Sequence, residues 1–117
     1  MKKCTKLILA ATTMLTLGAC SSFAVSAEET TVKAGFIFLH DENSTYDLNF
    51  INAAKEACES MGIEYVFKTG IPEGQECYEA ACELADAGCN FVFADSFGHE
   101  DYMIEAAREF PDVQFCH

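Results

Sequence analysis

The feature that most constrains the fold is a regular alternation of short apolar runs with longer segments of helical periodicity. In the longer segments apolar residues recur every three or four positions, as in helices, whereas short continuous apolar runs are typical of buried strands. We predict strands at 32–39, 63–68, 91–94 and 113–116, with one helix in each interval. Strands and helices that alternate through short connections form a parallel sheet with right-handed crossovers. The sequence therefore predicts an α/β fold, β-α-β-α-β-α-β, with helices on both faces of a parallel sheet.

The ends of the predicted helices carry recognisable signals. Ser44-x-x-Asp47 resembles a capping box, with aspartate in the place of the usual glutamate. Gly62 follows the first helix, where a glycine commonly ends a helix. Pro72-Glu73-Gly74 predicts a turn before the second helix, and Pro111 closes the third.

Ligands of parallel α/β sheets bind beyond the carboxyl ends of the strands. Two loops therefore matter most: 40–46 after the first strand and 95–101 after the third. The loop at 69–74, after the second strand, is a lesser candidate.

The first of these loops supplies three candidate ligand-binding residues. Tyr46 can stack on a flat heterocycle, while Asp41 and Asp47 can bind hydroxyls or ring nitrogens in a dry pocket. The capping box alone also accounts for Asp47, so a purely structural role stays open for this residue. For Tyr46 the ligand contact is favoured.

The second loop supplies two more candidates. Asp95 ends a buried strand, where a carboxylate needs a partner, and we expect it to contact a ligand. Phe97 is large and apolar at a strand's carboxyl end, so it either lines the pocket or packs beneath the loop.

Patterns that carry catalysis are missing from the sequence. Ser96, His99 and Asp101 lie too close together to form a triad by themselves, and no Gly-x-Ser-x-Gly occurs. The glycine patterns of dinucleotide and phosphate sites are also missing, and the histidines are not at zinc-ligand spacing. We therefore expect no enzyme activity, no catalytic residues, no metal and no cofactor.

Five cysteines follow the N-terminal segment: Cys58, Cys77, Cys82, Cys89 and Cys116. Their odd number leaves at least one unpaired if disulfides stay within the chain. We interpret them as small hydrophobic residues rather than as metal ligands.

Residues 1–20 have the pattern of an export signal. Three lysines precede an apolar stretch at 7–17, which is shorter than the about 20 residues that span a bilayer. The stretch ends in Leu17-Gly18-Ala19-Cys20, which resembles a bacterial lipobox. In a lipobox the cysteine sulfur takes a diacylglycerol, so we predict lipidation of Cys20.

The predicted anchor sets the expected organisation of the chain. Cleavage after Val25-Ser26-Ala27, which would release a soluble protein, is the alternative to lipidation. We favour the lipoprotein, held on the extracytoplasmic side of the cell membrane, with a flexible tether at 21–31. Residues 32–117 then form an N-terminal α/β lobe that is truncated within its fourth strand.

Charge excludes one class of partner. Four basic residues and 19 acidic residues follow Cys20, which gives the exported part a formal charge of −15. Such a charge repels phosphate backbones, so we expect no nucleic-acid partner.

Several segments between about Val32 and His117 are shared with one known family. They are Lys33-Ala34-Gly35-Phe36-Ile37-Phe38-Leu39-His40-Asp41, Ser44-Thr45-Tyr46-Asp47, Asn49-Phe50-Ile51-Asn52-Ala53-Ala54, Ile71-Pro72-Glu73, Phe93-Ala94-Asp95-Ser96-Phe97-Gly98-His99 and Phe110-Pro111-Asp112-Val113-Gln114-Phe115. In these segments the chain resembles the basic membrane protein family, whose members are substrate-binding lipoproteins of ABC transporters, of the purine-nucleoside-receptor type.

The resemblance implies a type I periplasmic-binding protein fold, in which two α/β lobes close on a ligand. This chain would supply part of the first lobe. In the family an aromatic-polar pair at the start of the first helix holds the nucleoside, and Tyr46-Asp47 occupies that place. Relatives commonly have Phe-Asn there, so Asp47 is a departure that leaves the ligand's identity open. The acidic residue that the family uses near the end of an early strand matches Asp95, or alternatively Asp41.

The implied function is capture of a nucleoside or similar small polar ligand and its delivery to an ABC permease. A ligand-binding sensor domain of the same fold, coupled to a signalling partner, is the alternative.

Overall fold

A computed structural model describes residues 31–117 of the chain. The predicted signal, the lipidation of Cys20 and all but the last residue of the tether lie outside the described residues. The elements follow the predicted order: β1 (Lys33–Ile37), α1 (Thr45–Met61), β2 (Glu64–Lys68), α2 (Gln75–Asp86), β3 (Phe91–Ala94), α3 (Glu100–Glu109) and β4 (Gln114–Cys116). Within residues 31–117 no helix is both long and apolar enough to cross a membrane.

The four strands form one parallel sheet in the order β2-β1-β3-β4. Phe36 of β1 lies opposite Phe67 of β2 on one side and opposite Phe93 of β3 on the other. The chain thus leaves β1 in one direction and then returns past it to β3. The crevice between the carboxyl ends of β1 and β3 is therefore the topological switch point, where ligands of such sheets bind.

One face of the sheet is covered by α2 and α3. The main core lies here, because side chains alternate along each strand and those of Ile37 and Val92 point to these helices. Leu84 of α2 and Met103 of α3 are buried against them. Free cysteines contribute to this core as small hydrophobic residues, and burial raises the pKa of the Cys77 thiol to about 12, which makes it unreactive.

The other face of the sheet is aromatic and carries α1. The rings of Phe36 and Phe93 stack with centroids 5.3 Å apart, and Phe67 meets Phe36 edge to face. Phe91 and Phe93 remain more than one third exposed, because α1 packs against β2 and leaves the β3 side open. Helices on both faces of a parallel sheet confirm the predicted fold class.

The ends of α1 follow the predicted signals, with one difference. Ser44 is the N-cap and its hydroxyl accepts a hydrogen bond from the Asp47 amide, while Gly62 ends the helix at a left-handed φ of 67°. In a capping box the Asp47 carboxylate would accept a hydrogen bond from the Ser44 backbone amide. Here the Ser44 amide donates to the carbonyl of Asp41, and the carboxylate of Asp47 turns toward the end of β1.

The predicted strand ends are close to the observed ones. β3 matches, whereas β1, β2 and β4 are shorter than predicted by one to three residues. A 3-10 turn at Phe97–His99, which the sequence did not predict, precedes α3. The predicted first strand is longer than β1 because the apolar run continues past Ile37. Phe38 lies beyond the strand but is still buried, at 2% exposure.

Candidate ligand-binding site

A pocket of about 410 Å³ lies where the carboxyl ends of β1 and β3 meet the first turns of α1. Its volume falls in the range of small-molecule sites, about 300–1,000 Å³. The wall is largely aromatic and aliphatic, with one carboxyl group among the lining residues. Those residues are Phe36, Ile37, Phe38, Tyr46, Phe50, Ala53, Ala54, Phe93, Ala94, Asp95 and His117.

Tyr46 projects from the first turn of α1 at the mouth of this pocket. Its side chain is 59% exposed, and its ring lies 4.9 Å from that of Phe50, one helical turn further on. The Phe50 ring supports one side of Tyr46, while much of the tyrosine surface stays free. This is the geometry that a stacking contact with a flat ligand requires.

Asp47 lies behind this wall and is fully buried. Its Oδ1 accepts the His40 amide at 2.9 Å, and its Oδ2 accepts the Ser44 hydroxyl at 2.5 Å and His40 Nδ1 at 3.1 Å. Burial opposes ionisation, but these hydrogen bonds outweigh it and hold the pKa of the Asp47 carboxyl well below its usual range. These three hydrogen bonds tie the loop after β1 to α1.

Asp95 follows β3 and lines the pocket. Its Oδ1 accepts the Leu39 amide at 3.1 Å, whereas its Oδ2 is buried without a hydrogen-bond partner. Burial raises the pKa of the Asp95 carboxyl, and the nearby Asp47 raises it further. Asp47 and Asp95 thus lie side by side with their pKa values displaced in opposite directions.

The other two candidates lie away from the pocket. Asp41 is exposed, and its carboxylate accepts the amide and side-chain N–H groups of Asn43 at 2.9 and 3.0 Å. Phe97 is 86% exposed and is absent from the pocket lining. The structure therefore brings Tyr46 and Asp95 together in one pocket. Ligand contacts by any of the candidates, including Asp41 and Phe97, stay predictions.

Glu73 lies outside the pocket lining but supports the loop that follows Asp95, a role that was not predicted from the sequence. It projects from the loop after β2, where its Oε1 accepts the Ser96 hydroxyl and, at 3.0 Å, the Gly98 amide. His99, fully buried, donates from Nε2 to the carbonyl of Ile71 at 2.9 Å. These contacts join the loops after β2 and β3 and fix the segment that follows Asp95.

We predict that Gly98→Ala destabilises the fold by about 1–2 kcal/mol. A Cβ at position 98 would lie 2.3 Å from the carboxyl carbon of Glu73, so Glu73 must move and give up its two hydrogen bonds. Urea denaturation of the chain measures the loss. In a Glu73→Ala background the clash is gone, and we expect most of the penalty of Gly98→Ala to disappear. An equal penalty in both backgrounds would show that Glu73 is not the cause.

His117 is a residue that the sequence analysis did not place in the site. Its Nε2 donates to the carbonyl of Ser96 at 2.7 Å, and its ring lines the pocket. The signal was its position directly after a predicted strand, at the same edge of the sheet as Asp95. Among residues 31–117, no group of three or more His, Cys, Asp or Glu side chains has the geometry of a metal site.

Comparison with known proteins identifies the relatives of this chain. Over 99 residues, which are 80% of the chain, it is 35% identical to a purine-binding protein of Brucella abortus (strain 2308). The sequence likeness to a binding protein thus extends over most of this chain. The chain spans 27% of the length of that relative. The resemblance drawn from the sequence is thereby confirmed.

Solved solute-binding proteins share the fold. An ABC transporter solute-binding protein from Conexibacter woesei DSM 14684 superimposes with a TM-score of 0.64 at 21% identity, over 72% of this chain and 28% of its own. A counterpart from Aeropyrum pernix K1 gives 0.60 at 14% identity, over 72% of this chain and 23% of its own. A protein described as a transcriptional activator of the comK gene, from Bacillus halodurans, gives 0.62 at 19% identity, over 71% of this chain and 28% of its own.

At these identities the likenesses establish the fold alone. No protein-family model matches the chain. The purine-binding relative and the two solute-binding neighbours are named as binding proteins rather than enzymes, which agrees with the expectation from the sequence.

Proposed function

We propose that this chain forms part of the first lobe of an extracytoplasmic solute-binding protein that captures a purine or purine nucleoside for an ABC importer. The observation that carries the proposal is the pocket at the switch point between β1 and β3, with the free face of Tyr46 at its mouth and Asp95 in its wall. The purine-binding name of the relative supports the ligand class.

The chemistry of the pocket suits a flat heterocycle with polar edges. Stacking of a base on an aromatic side chain contributes about 1–3 kcal/mol. Phe38 and Phe93 supply apolar surface deeper in the pocket, and the carboxyl of Asp95 gives the ring nitrogens or exocyclic groups a hydrogen-bonding partner. In this proposal a second lobe, contributed by sequence beyond the chain, would close on the other side of the ligand.

The proposed partners are a small-molecule ligand and an ABC permease. We further propose that the protein is tethered to the membrane through a lipid on Cys20, as the lipobox-like segment indicates. Lipid anchoring would hold the negatively charged lobe near the permease while the tether allows it to move. Several acyl chains together hold a protein firmly, since each buried methylene contributes about 0.8 kcal/mol.

A sensor domain of the same fold is the second candidate. The comK activator from Bacillus halodurans shares the fold of this chain, as do the two solute-binding proteins. The purine-binding protein is 35% identical to this chain, whereas the comK activator is 19% identical. The sequence likeness therefore favours the solute-binding protein over the sensor domain. Either candidate places the ligand at the same edge of the sheet.

Isothermal titration calorimetry with the protein expressed from its complete gene tests the proposed function. We expect saturable binding of at least one of adenosine, guanosine and inosine, and no comparable heat with ribose or uridine. Thermal scanning should agree, because ligand at one hundred times Kd stabilises a protein by about 2.7 kcal/mol. Binding of a sugar or amino acid in place of every purine would overturn the ligand class and leave the binding-protein assignment standing.

A further inference from the structure

Two carboxyl groups meet at the end of β1. Successive backbone amides donate to them: the Leu39 amide to Asp95 at 3.1 Å, and the His40 amide to Asp47 at 2.9 Å. Asp47 comes from α1 and Asp95 from the end of β3, so the pair spans the crevice between β1 and β3. Asp95 lines the ligand pocket and Asp47 lies behind the pocket wall that carries Tyr46. What the pair does for ligand binding rests on the proposed function.

The hydrogen bonds of the two carboxyls are unequal. Both oxygens of Asp47 are occupied by donors from His40 and Ser44. Asp95 has a donor on Oδ1 only, and its Oδ2 is buried without a partner. A buried carboxylate oxygen without a donor is costly, and two adjacent carboxylates repel each other, here with Asp47 fully and Asp95 partly buried. One proton on Oδ2 of Asp95 removes both costs, because the acid can then donate to the Asp47 carboxylate.

We propose that Asp47 and Asp95 share a single proton, carried by Asp95, and that this acid–carboxylate pair is a positioning device that holds the Tyr46 wall of the ligand pocket. Burial and the neighbouring Asp47 both favour the protonated form of Asp95. The two groups titrate as a pair, with one proton lost at very low pH and the other well above it.

Other titratable groups surround the pair without removing the need for a proton. His40 binds Asp47 directly, and His99, from the turn after β3, exerts an opposing attraction on Asp95. Glu73 on the loop after β2 is negative and is held by Ser96 and Gly98, while His117 lines the same pocket. None of the three histidine rings donates to Oδ2 of Asp95, which is without a partner.

The shared proton affects the part of the pocket wall that carries Tyr46. With it, the loop after β1 is linked to β3 through Asp95 and to α1 through Asp47. Without it, the fully buried Asp47 and the partly buried Asp95 would both be negative at the switch point, and their repulsion would push the first turn of α1, which carries Tyr46, away from β3. Purine capture should therefore weaken as the pH rises through the raised pKa of Asp95.

Asp95→Asn and Asp47→Asn form a matched pair of variants for the test. An amide at position 95 keeps an acceptor for Leu39 and supplies a permanent donor toward Asp47. The folded wild type holds a proton that the unfolded chain releases near pH 3.8, so its stability falls as the pH rises from there through the folded pKa. Asp95→Asn lacks this loss.

The measurement is urea unfolding of the full chain at a series of pH values. We expect the ratio of the folding equilibrium constants of Asp95→Asn and wild type to rise with pH, by up to about tenfold per pH unit, the limit for one proton. Asp47→Asn should be the less stable variant at neutral pH, because its amide nitrogen would face donors. A ratio that does not change with pH, or an Asp95→Asn as unstable as Asp47→Asn, would overturn the proposal.

A second measurement does not depend on variants that fold. Carboxyl-carbon NMR of the wild-type chain should show Asp95 titrating above the ordinary range of an aspartic acid and Asp47 below it. Titration of both at ordinary values would contradict the shared proton. Neither experiment uses a ligand, so failure to bind purines would refute the proposed function and leave the proton-sharing result intact.

Discussion

Replacing Asp47 by asparagine should lower the free energy of unfolding by about 3 kcal/mol at neutral pH. The buried carboxylate accepts hydrogen bonds from the His40 amide, the His40 ring and the Ser44 hydroxyl. An asparagine has one acceptor oxygen, and its NH₂ group would face donors. Hydrogen bonds to a charged group contribute about 1.5–3 kcal/mol each. Losing part of this set should therefore cost more stability than most single substitutions do. Urea denaturation of variant and wild type measures the difference.

Asp41→Asn is the matched control, because Asp41 is an exposed acid of the same loop. We expect it to change the stability by less than about 0.5 kcal/mol. The pKa of Asp47 is lowered on folding, so its contribution is present above pH 3.8 and is lost as the pH falls through the folded value. The difference in the free energy of unfolding between wild type and Asp47→Asn should therefore become smaller in acid. Equal stabilities of the two at pH 7 would show that the loop is not held by Asp47.

Replacing Tyr46 by alanine should weaken purine nucleoside binding about tenfold or more, because a base stacked on an aromatic ring gains about 1–3 kcal/mol. The ring stands at the pocket mouth, more than half exposed and backed by Phe50. Tyr46→Phe keeps the stacking surface and should retain most of the affinity. Calorimetry with the protein from the complete gene gives both values.

Met61→Ala is the control for this second prediction. Met61 is 64% exposed at the opposite end of α1 and is absent from the lining of the pocket that contains Tyr46. Its replacement should leave the affinity unchanged within about twofold. If Tyr46→Ala also changed the affinity by less than twofold, the base would not stack on this residue. The main support for a binding site at the switch point would then be lost.

The architecture of the chain could be predicted because it follows from local patterns. Continuous apolar runs marked the strands, and helical periodicity with Gly62 and Pro111 marked the helix ends. The position of the site followed from topology, since carboxyl ends of parallel strands share one edge. For the same reason Tyr46 and Asp95 both line the pocket at that edge, and their contact with a ligand stays a prediction.

What could not be predicted depends on contacts between distant residues. Glu73 meets Ser96 and Gly98 across 23 and 25 positions, and no pattern in the sequence couples them. The direction of a side chain in a loop is equally non-local. Phe97 turns outward because the Glu73 contacts fix the backbone on either side of it, while Asp47 turns inward to reach the His40 amide.

A crystal structure of the protein from the complete gene, with a bound purine nucleoside, tests the central claim most directly. We expect the base within about 4 Å of the Tyr46 ring, at van der Waals contact, with a polar edge toward Asp95. The ligand should lie over the carboxyl ends of β1 and β3. A nucleoside bound without contact to either of the loops 40–46 and 95–101 would contradict the account.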